Sequence, residues 1–555
     1  MTRRADAVAS SLPSTSMTLR LQWFSCSLAA LMLASCASGP RLETTAVRRG
    51  LESSPEARRV KLGRALTAAD LALQQGLQHE DARQRYNKAV MEAVESWMAL
   101  ADQPSRQTIT QSEDGGNRYS LQATWPSTLL FDELIPASRI PSRELKERLV
   151  RDGVGTPLVA WWRHTNERAK TEPFMAAAGY LAPATATLTF SPAPGGRRTA
   201  SLVLHDPRKV DNVRLAGLSQ PLAEDISAVG EFLLSRREVR MSGLGALLQS
   251  GKHLDKLGLI ALERPTSDRV PVIMVHGLMS KPATWQNVVN ELWGDPLLQR
   301  TCQFLFFRYP TGVPVIYSAA KLREKLGLLH RELERTGHRA TSDHMVLIGH
   351  SMGGLVSKSQ VQDSGDRLWV NVFGSTPDKL KLSPKEIEAM RAYLEYRPNP
   401  YISRVIFVAT PHRGSSLAAG AMGAVGGSLV NLPKRIVGDA FNVLQGQLPE
   451  QGPLREMLDK GVPTSIDNLS PKSKFVQTSI SLPLRPGLHV HSIIGNKKQK
   501  PLNDPACSDG FVPYTSAHLD GVESELVVPF GHSAHEHPQA VEEIRRILHL
   551  HVRSL

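Results

Sequence analysis

One serine of this chain lies in the kind of sequence that nucleophilic catalysis requires. Ser351 is part of the hexapeptide Gly349-His-Ser-Met-Gly-Gly354, directly after the apolar run Met345–Ile348 and before a segment with helical character. A serine hydroxyl is a weak nucleophile until a base takes its proton, and a sharp turn between a strand and a helix exposes it to base and substrate. The flanking glycines permit the tight backbone packing of such a turn. The pattern therefore predicts Ser351 as a nucleophile.

The segments around Ser351 alternate between apolar runs and helical patterns. Five runs have the near-continuous apolar character of strands that are buried on both faces, and helical segments such as Ser318–Glu334 lie between them. The five runs are Val270–Val275, Met345–Ile348, Val405–Ala409, Val490–Ile494 and Leu526–Val528. Strands that alternate with helices predict an α/β fold, with a mostly parallel sheet that carries helices on both faces.

Three motifs give residues 265–555 a resemblance to the α/β-hydrolase family, and to its lipase and esterase branch in particular. They are His276-Gly277, the hexapeptide around Ser351, and Val408-Ala-Thr-Pro-His-Arg-Gly-Ser415. The first two occur across the whole family, whereas the third resembles a Thr-Pro-His-x-Gly-Ser stretch of lipase-like members. The resemblance implies a serine hydrolase that cuts carboxylic esters through an acyl-enzyme and needs no cofactor.

The resemblance also implies an acid and a base, which follow the serine in the chain order of the family. Asp509, in Ser508-Asp-Gly after the fourth apolar run, is the predicted acid, and Asp504 is the alternative. The acid would fix the histidine tautomer and stabilise the imidazolium. His532 is the predicted base because it lies closest to the end of the last run, and His535 is the alternative base.

The three histidines after the last run allow a second interpretation. His532, His535 and His537 have a His-x-x-His-x-His spacing that also occurs in metal-binding tracts. No carboxylate or cysteine pattern completes a ligand set around them, so we predict no metal at this position.

An oxyanion hole is expected at the loop after the first apolar run. In this fold one backbone N–H comes from that loop and the other from the residue after the nucleophile. Leu278 or Met279 is the predicted first donor, and Met352 is the second. His276 is predicted to shape the loop rather than to react.

Two insertions interrupt the α/β pattern, at about residues 362–400 and 416–486. The second begins with small apolar residues and several glycines that could act as hinges. Such a segment could form a moving lid over a lipase site or a fixed cap, and the sequence leaves both open.

The N-terminal half has a different organisation. Residues 55–101 predict a helical hairpin, in which Tyr86, Val90 and Trp97 belong to one apolar stripe. Residues 115–260 contain short β-rich runs bounded by proline, glycine and aspartate, which predict a small β-rich domain.

The first 36 residues resemble a bacterial lipoprotein signal peptide. A positively charged start, Met17–Arg20, precedes the apolar stretch Trp23–Ala34, which is too short to span a bilayer and ends in Leu33-Ala-Ser-Cys36. The resemblance implies lipidation of Cys36 by palmitate or a similar chain, a tether over residues 37–54, and a membrane partner. Ala37, rather than aspartate, implies the outer membrane, on its periplasmic side or at the cell surface. An ordinary secretory signal is the alternative.

Composition narrows the classes of partner. The chain has 555 residues with 41% hydrophobic and 21% charged content, which is typical of a globular protein. The net charge is +13, but the basic residues are scattered among acidic ones, so we predict no nucleic-acid partner. Beyond the signal only Cys302 and Cys507 remain, and the sequence leaves open whether they pair.

The predicted function is that of a lipase- or esterase-like hydrolase acting on acyl esters, with acyl lipids as the favoured substrates. An acyltransferase would use the same triad. A catalytically idle scaffold or binding lipoprotein is an alternative from another class, and amide bonds are an alternative substrate.

Overall fold

The described part of the chain leaves out several of the predicted features. The computed structural model of the chain describes residues 54–100, 109–236, 257–337, 339–416 and 468–555. The predicted signal peptide, Cys36 and most of the second insertion therefore lie outside the described residues. Within those ranges, no helix is both long and apolar enough to cross a membrane.

The N-terminal half places a pair of helices on a six-stranded sheet. Its helices are α1 (Pro55–Gln75), α2 (Glu80–Leu100), α3 (Asn166–Thr171) and α4 (Ala228–Ser235). Its strands are β1 (Ile109–Asp114), β2 (Asn117–Thr124), β3 (Glu133–Pro136), β4 (Val150–Arg151), β5 (Thr156–Trp162), β6 (Tyr180–Ala193), β7 (Arg197–His205), β8 (Asn212–Leu215), β9 (Leu218–Pro221) and β10 (Glu224–Asp225). The sheet has the order β1-β2-β7-β6-β5-β3, while β4 pairs with β10 and β8 with β9.

Local signals explain where the helical pair begins and how it is held. The Ser54 side chain accepts a hydrogen bond from the Ala57 amide, and Pro55 occupies the first helical position, where its missing N–H costs nothing. The predicted stripe of α2 is buried, with Tyr86 and Val90 fully covered. The Tyr86 hydroxyl both donates to the Leu188 carbonyl and accepts from the Leu188 amide, each at 2.8 Å. The pair and the sheet thus share one apolar core.

The C-terminal half is built on a seven-stranded sheet. Its strands are β11 (Gly258–Ala261), β12 (Val270–Val275), β13 (Cys302–Arg308), β14 (Met345–His350), β15 (Ile402–Val408), β16 (His489–Gly495) and β17 (Ser524–Val528). The order is β11-β13-β12-β14-β15-β16-β17. Only β11 runs antiparallel to its neighbour, and the remaining pairs are parallel. The predicted α/β fold is confirmed.

Helices cover both faces of this sheet. They are α5 (Gln286–Trp293), α6 (Pro296–Thr301), α7 (Val315–Thr336), α8 (Arg339–Ser342), α9 (Met352–Lys358), α10 (Arg367–Phe373), α11 (Pro384–Leu394), α12 (Lys474–Ser481), α13 (Tyr514–Ala517) and α14 (Pro538–Arg553). Successive side chains of β12 point to opposite faces. Ile273 and Val275 pack in the cluster with α7 and α9, whereas Val272 and Met274 pack in the cluster with α5 and α14. A strand that is buried on both faces must be apolar throughout, as β12 is.

Two boundaries differ from the sequence prediction. Residues 109–114 form a strand ahead of the predicted β-rich segment, paired with β2. Residues 258–261, predicted at the end of that segment, instead form the antiparallel edge strand β11 against β13. Both strands are short and lie at sheet edges, where sequence patterns carry the least information. Cys302 and Cys507 are both buried and unpaired.

Candidate active site

Ser351 sits at the turn between β14 and α9, with strained backbone angles. Its φ is 55° and its ψ is −124°, a combination that a non-glycine residue adopts at a cost of about 1–3 kcal/mol. The turn is held because the Ser351 amide donates to the Val408 carbonyl of β15 at 2.8 Å. The side chain therefore projects from the carboxyl end of the sheet, where the neighbouring parallel strands also end.

The glycines of the hexapeptide are needed for space. A Cβ atom on Gly349 would lie 2.7 Å from the Gly353 carbonyl oxygen and from the Gly354 Cα. A Cβ atom on Gly353 would collide with the carbonyl of Val275, and one on Gly354 with the side chain of Thr410. The turn is therefore wedged between β12 and the loop after β15, which fixes the position of the serine.

We expect Gly354→Ala to destabilise the fold because its new methyl group overlaps Thr410. Overpacking of this kind costs about 1–3 kcal/mol of unfolding free energy. The matched control is Gly327→Ala in α7, where the nearest atom to the new methyl group is the end of the Arg331 side chain at 3.4 Å. Alanine favours a helix over glycine by about 0.8–1 kcal/mol, so the control should hold or gain stability. Urea unfolding of both variants measures this, and equal effects would contradict the packing argument.

The structure brings Ser351, His532 and Asp509 together although they are far apart in sequence. His532 Nε2 lies 2.8 Å from Ser351 Oγ, and His532 Nδ1 lies 2.7 Å from Asp509 Oδ2. Asp509 is 2% exposed, while the His532 side chain is 19% exposed. The three side chains form a hydrogen-bonded chain. In it the imidazole can take the proton of the serine hydroxyl, and the carboxylate orients the imidazole.

The second oxygen of the Asp509 carboxylate is also engaged. Oδ1 accepts the amides of Phe511 and Val512, each at 2.7 Å. Two backbone donors hold the carboxylate and leave Oδ2 directed at the imidazole. The Phe511 ring lies 5.2 Å from the His532 ring, centroid to centroid, and so limits its rotation.

The alternative residues of the sequence prediction lie elsewhere. His535 Nε2 is hydrogen-bonded to Thr284 Oγ1 at 3.2 Å, and its ring packs on Trp285. His537 caps the start of α14 by accepting from the Gln539 amide. Asp504 accepts the Ala506 amide at 2.8 Å and closes a turn. Within the described ranges, no three histidine, cysteine or acidic side chains form a group that could hold a metal ion.

The loop after β12 passes directly beside the serine. A Cβ atom on Gly277 would lie 2.9 Å from Ser351 Cβ, so glycine is required for this approach. The Met279 amide donates to Thr311 Oγ1 at 3.2 Å and is occupied. The Leu278 amide has no partner among the described residues, and the Met352 amide is the first of a helix and has no intrahelical acceptor. Of the two predicted first donors, Leu278 thus fits better.

The structure gives His350 a role that the sequence does not predict. Its Nε2 donates to the His532 carbonyl at 2.8 Å, which joins the serine turn to the loop of the predicted base. Its ring packs on that of His535 at 4.4 Å between centroids. Thr311 was missed as well, since nothing in the sequence places it at the loop after β12. Only the position of His350 beside Ser351 offered a signal.

Burial keeps the other histidines of the site neutral. Desolvation lowers the pKa of His276 and of His535 to about 4, and lowers the pKa of His350 well below its usual value. These rings therefore add no positive charge beside His532 at neutral pH. His276 packs on Tyr309, whose hydroxyl donates to the His276 carbonyl at 2.6 Å, as expected for a residue that shapes the loop.

The third motif packs the serine turn rather than contacting the triad. Thr410 lies against Gly354, as described above. The Arg413 amide donates to Ser516 Oγ at 3.1 Å, and its guanidinium donates to the Thr515 carbonyl at 3.1 Å. The motif therefore joins the end of β15 to α13, close to Asp509.

No protein-family model and no curated protein matches this chain. Among solved structures it is similar to a lipase from Bacillus licheniformis in mature form, at 17% identity over 51% of this chain and 92% of that one, with a TM-score of 0.30. It is also similar to a metagenomic carboxyl esterase, at 16% identity over 52% of this chain and 77% of that one, with a TM-score of 0.27. A third is phospholipase PlaB from Legionella pneumophila, at 15% identity over 45% of each chain, with a TM-score of 0.26. At these identities and TM-scores the similarities do not decide the activity of this chain.

Proposed function

We propose that this protein is a serine carboxylic-ester hydrolase that works through an acyl-enzyme. The observation that carries the proposal is the path from Ser351 Oγ through His532 to Asp509, with both contacts at hydrogen-bond distance. Bare proximity would not suffice, because an active triad also needs a fixed carboxylate and free donors for the oxyanion. Asp509 is fixed by two amides. Leu278 follows Gly277, which passes beside Ser351, and Met352 follows the serine itself.

Acylation follows from this geometry. Ser351 Oγ attacks the ester carbonyl carbon while its proton passes to His532 Nε2. The carbonyl oxygen takes the negative charge and is held by the N–H groups of Leu278 and Met352. The tetrahedral intermediate collapses, the carbon–oxygen bond to the alcohol breaks, and His532 returns the proton to the leaving alkoxide. Asp509 stabilises the imidazolium in between.

Deacylation repeats these steps with water as the nucleophile. His532 Nε2 takes a proton from a water molecule, whose oxygen attacks the acyl carbon. The carboxylic acid leaves, and Ser351 regains its proton from His532. Acyl lipid esters are the proposed substrates, on the support of the lipase-like third motif.

A fluorophosphonate probe tests the proposed nucleophile. The wild type should be labelled, and Ser351→Ala should not. The matched control is Ser359→Ala, which should leave labelling intact. Ser359 is a buried serine of the same segment, and its hydroxyl donates to the Leu355 carbonyl at 3.0 Å. An unlabelled wild type, or equal labelling of Ser351→Ala, would refute the proposal. Products from p-nitrophenyl esters, phospholipids and peptides, with and without added alcohols, would separate hydrolysis from acyl transfer.

We also propose that the protein is lipid-anchored in the cell envelope, in the outer membrane. Support comes from the sequence before Cys36, where a basic segment, an apolar run and small residues stand in order. Cells fed radiolabelled palmitate should incorporate label into the wild type, and Cys36→Ser should abolish it. Cys26→Ser, which changes a cysteine inside the apolar run, is the control. Label that persists in Cys36→Ser would rule out this anchor.

A further inference from the structure

A turn with three lysines lies at the edge of the sheet from which Ser351 projects. It comprises residues 496–502, Asn-Lys-Lys-Gln-Lys-Pro-Leu, directly after β16, and we call it the lysine turn. Because β14 and β16 run parallel in one sheet, their carboxyl ends lie on the same edge. The lysine turn and the serine therefore face the same side of the molecule.

Hydrogen bonds within the lysine turn and to the neighbouring segment hold its backbone. The Asn496 side chain accepts from the Lys500 amide at 3.0 Å and donates to the Lys500 carbonyl at 2.7 Å. The Lys497 amide donates to the Ser508 carbonyl at 2.9 Å. These bonds close the loop on itself and fix it to the segment that carries Asp509. The lysines are thus presented from a rigid base.

The lysine turn borders the loops that carry Asp509 and His532. A Cβ atom on Gly510 would lie 3.6 Å from Lys497 Cδ, and one on Gly531 would lie 3.9 Å from it. These glycines adjoin Asp509 and His532 in sequence. The apolar stem of Lys497 therefore covers the backbone of both catalytic loops.

Among the described residues, no acidic side chain forms an ion pair with the lysines of the turn. Lys497, Lys498 and Lys500 are all exposed, and none has a carboxylate within 4.0 Å among the described residues. The closest acids in sequence are committed elsewhere, since Asp504 closes its own turn and Asp509 holds His532. A hydrogen-bonded loop that carries three lysines without an acidic partner among the described residues favours an anionic partner.

Two exposed apolar side chains accompany the lysines. Leu502, at the end of the turn, is 44% exposed, and Phe530, next to Gly531, is 37% exposed. Lysines beside exposed leucine and phenylalanine are the composition of surfaces that insert at a lipid interface. An acidic polypeptide would be bound through charge and would leave both apolar side chains in water.

We propose that the lysine turn, with Leu502 and Phe530, is the surface by which this protein docks on an anionic phospholipid bilayer. Docking here would bring the edge of the sheet that carries Ser351 to the lipid headgroups, so that acyl esters reach Ser351 without crossing bulk water. The delivery role rests on the proposed function, but the docking itself needs no catalysis.

Vesicle sedimentation tests the surface on full-length protein carrying Cys36→Ser and Ser351→Ala, so that neither an acyl anchor nor hydrolysis contributes. The vesicles are phosphatidylcholine alone, or phosphatidylcholine mixed with phosphatidylglycerol. Changing Lys497, Lys498 and Lys500 to glutamine should weaken binding to the anionic vesicles on the order of 100-fold, because each lysine near a charged membrane contributes about 1 kcal/mol. Binding should also fall as salt rises.

The matched control changes Lys379, Lys381 and Lys385 to glutamine. These lysines are also exposed, and their substitution removes the same number of charges, but they belong to the first insertion. Binding of the control should stay near that of the parent. Equal loss in both variants would show a general charge effect and overturn the proposal, as would equal binding to neutral and anionic vesicles or tighter binding to polyglutamate.

Two further variants separate the contribution of the lysines from that of the apolar side chains. The double change Lys498→Gln with Lys500→Gln keeps the Lys497 stem on the catalytic loops and should still cost on the order of 30-fold. Leu502→Ser with Phe530→Ser should weaken binding to the anionic vesicles at high salt. Unchanged binding would show that these two apolar side chains do not contribute to docking. Because all binding is measured without Ser351, a lack of esterase activity would refute the proposed function and leave these results standing.

Discussion

His532→Ala should lower kcat by about 10⁴- to 10⁶-fold with little change in KM, because the serine would lose the group that takes its proton. The geometry supports a single base, since only His532 places a ring nitrogen within hydrogen-bond distance of Ser351 Oγ among the described residues. Removing it also leaves Asp509 as a buried carboxylate without its imidazole partner. The measurement is steady-state hydrolysis of a short water-soluble p-nitrophenyl ester.

His535→Ala is the matched control, because it removes an imidazole three residues away. His535 is buried, and its contacts are Thr284, Trp285 and the ring of His350. We expect a loss of about 1–3 kcal/mol in unfolding free energy, from the unpaired hydroxyl and the packing defect. The fall in kcat should be within about tenfold. If His535→Ala were instead the inactive variant, the assignment of His532 would be wrong.

The parts of the site that the sequence predicts are those marked by a short motif or a continuous apolar run. Ser351 follows from one hexapeptide after an apolar run, and the order of acid and base then points to two late strands. The strand β12 could be predicted because burial on both faces demands a continuous apolar run. These signals are local, so a single sequence contains them.

The parts that the sequence could not predict depend on contacts between distant segments. The bond from His350 to the His532 carbonyl joins residues 182 positions apart, and the bond from Met279 to Thr311 joins residues 32 apart. Neither leaves a pattern in composition or spacing. The choice between Leu278 and Met279 as oxyanion donor likewise required knowing which amide Thr311 occupies.

The N-terminal half shows the same limit at the level of the fold. The stripe on α2 predicts that this helix buries one face, but not which surface covers it. The structure supplies a six-stranded sheet, tied through the Tyr86 hydroxyl to Leu188, 102 residues away. Periodicity reports that a face is apolar, whereas its partner is fixed by shape and by individual hydrogen bonds.

Asp509→Asn should lower kcat by about 10⁴-fold without unfolding the protein, because it changes the tautomer of the base. The asparagine oxygen can take the place of Oδ1 and accept the amides of Phe511 and Val512. Its NH₂ group then occupies the position of Oδ2 and presents a donor to His532 Nδ1. The imidazole must place its proton on Nε2, where it donates to Ser351 and cannot accept the serine proton.

Asp504→Asn is the control that separates this effect from a general loss of acidity near the site. Asp504 serves its turn as an acceptor for the Ala506 amide, and an asparagine oxygen can accept the same bond. We expect kcat within about twofold of the wild type, since surface substitutions that keep their contacts change little. Fluorophosphonate labelling should be slow in Asp509→Asn and normal in Asp504→Asn. The reverse ranking would move the acid to Asp504, and equal activity of both variants would mean that no carboxylate orients His532.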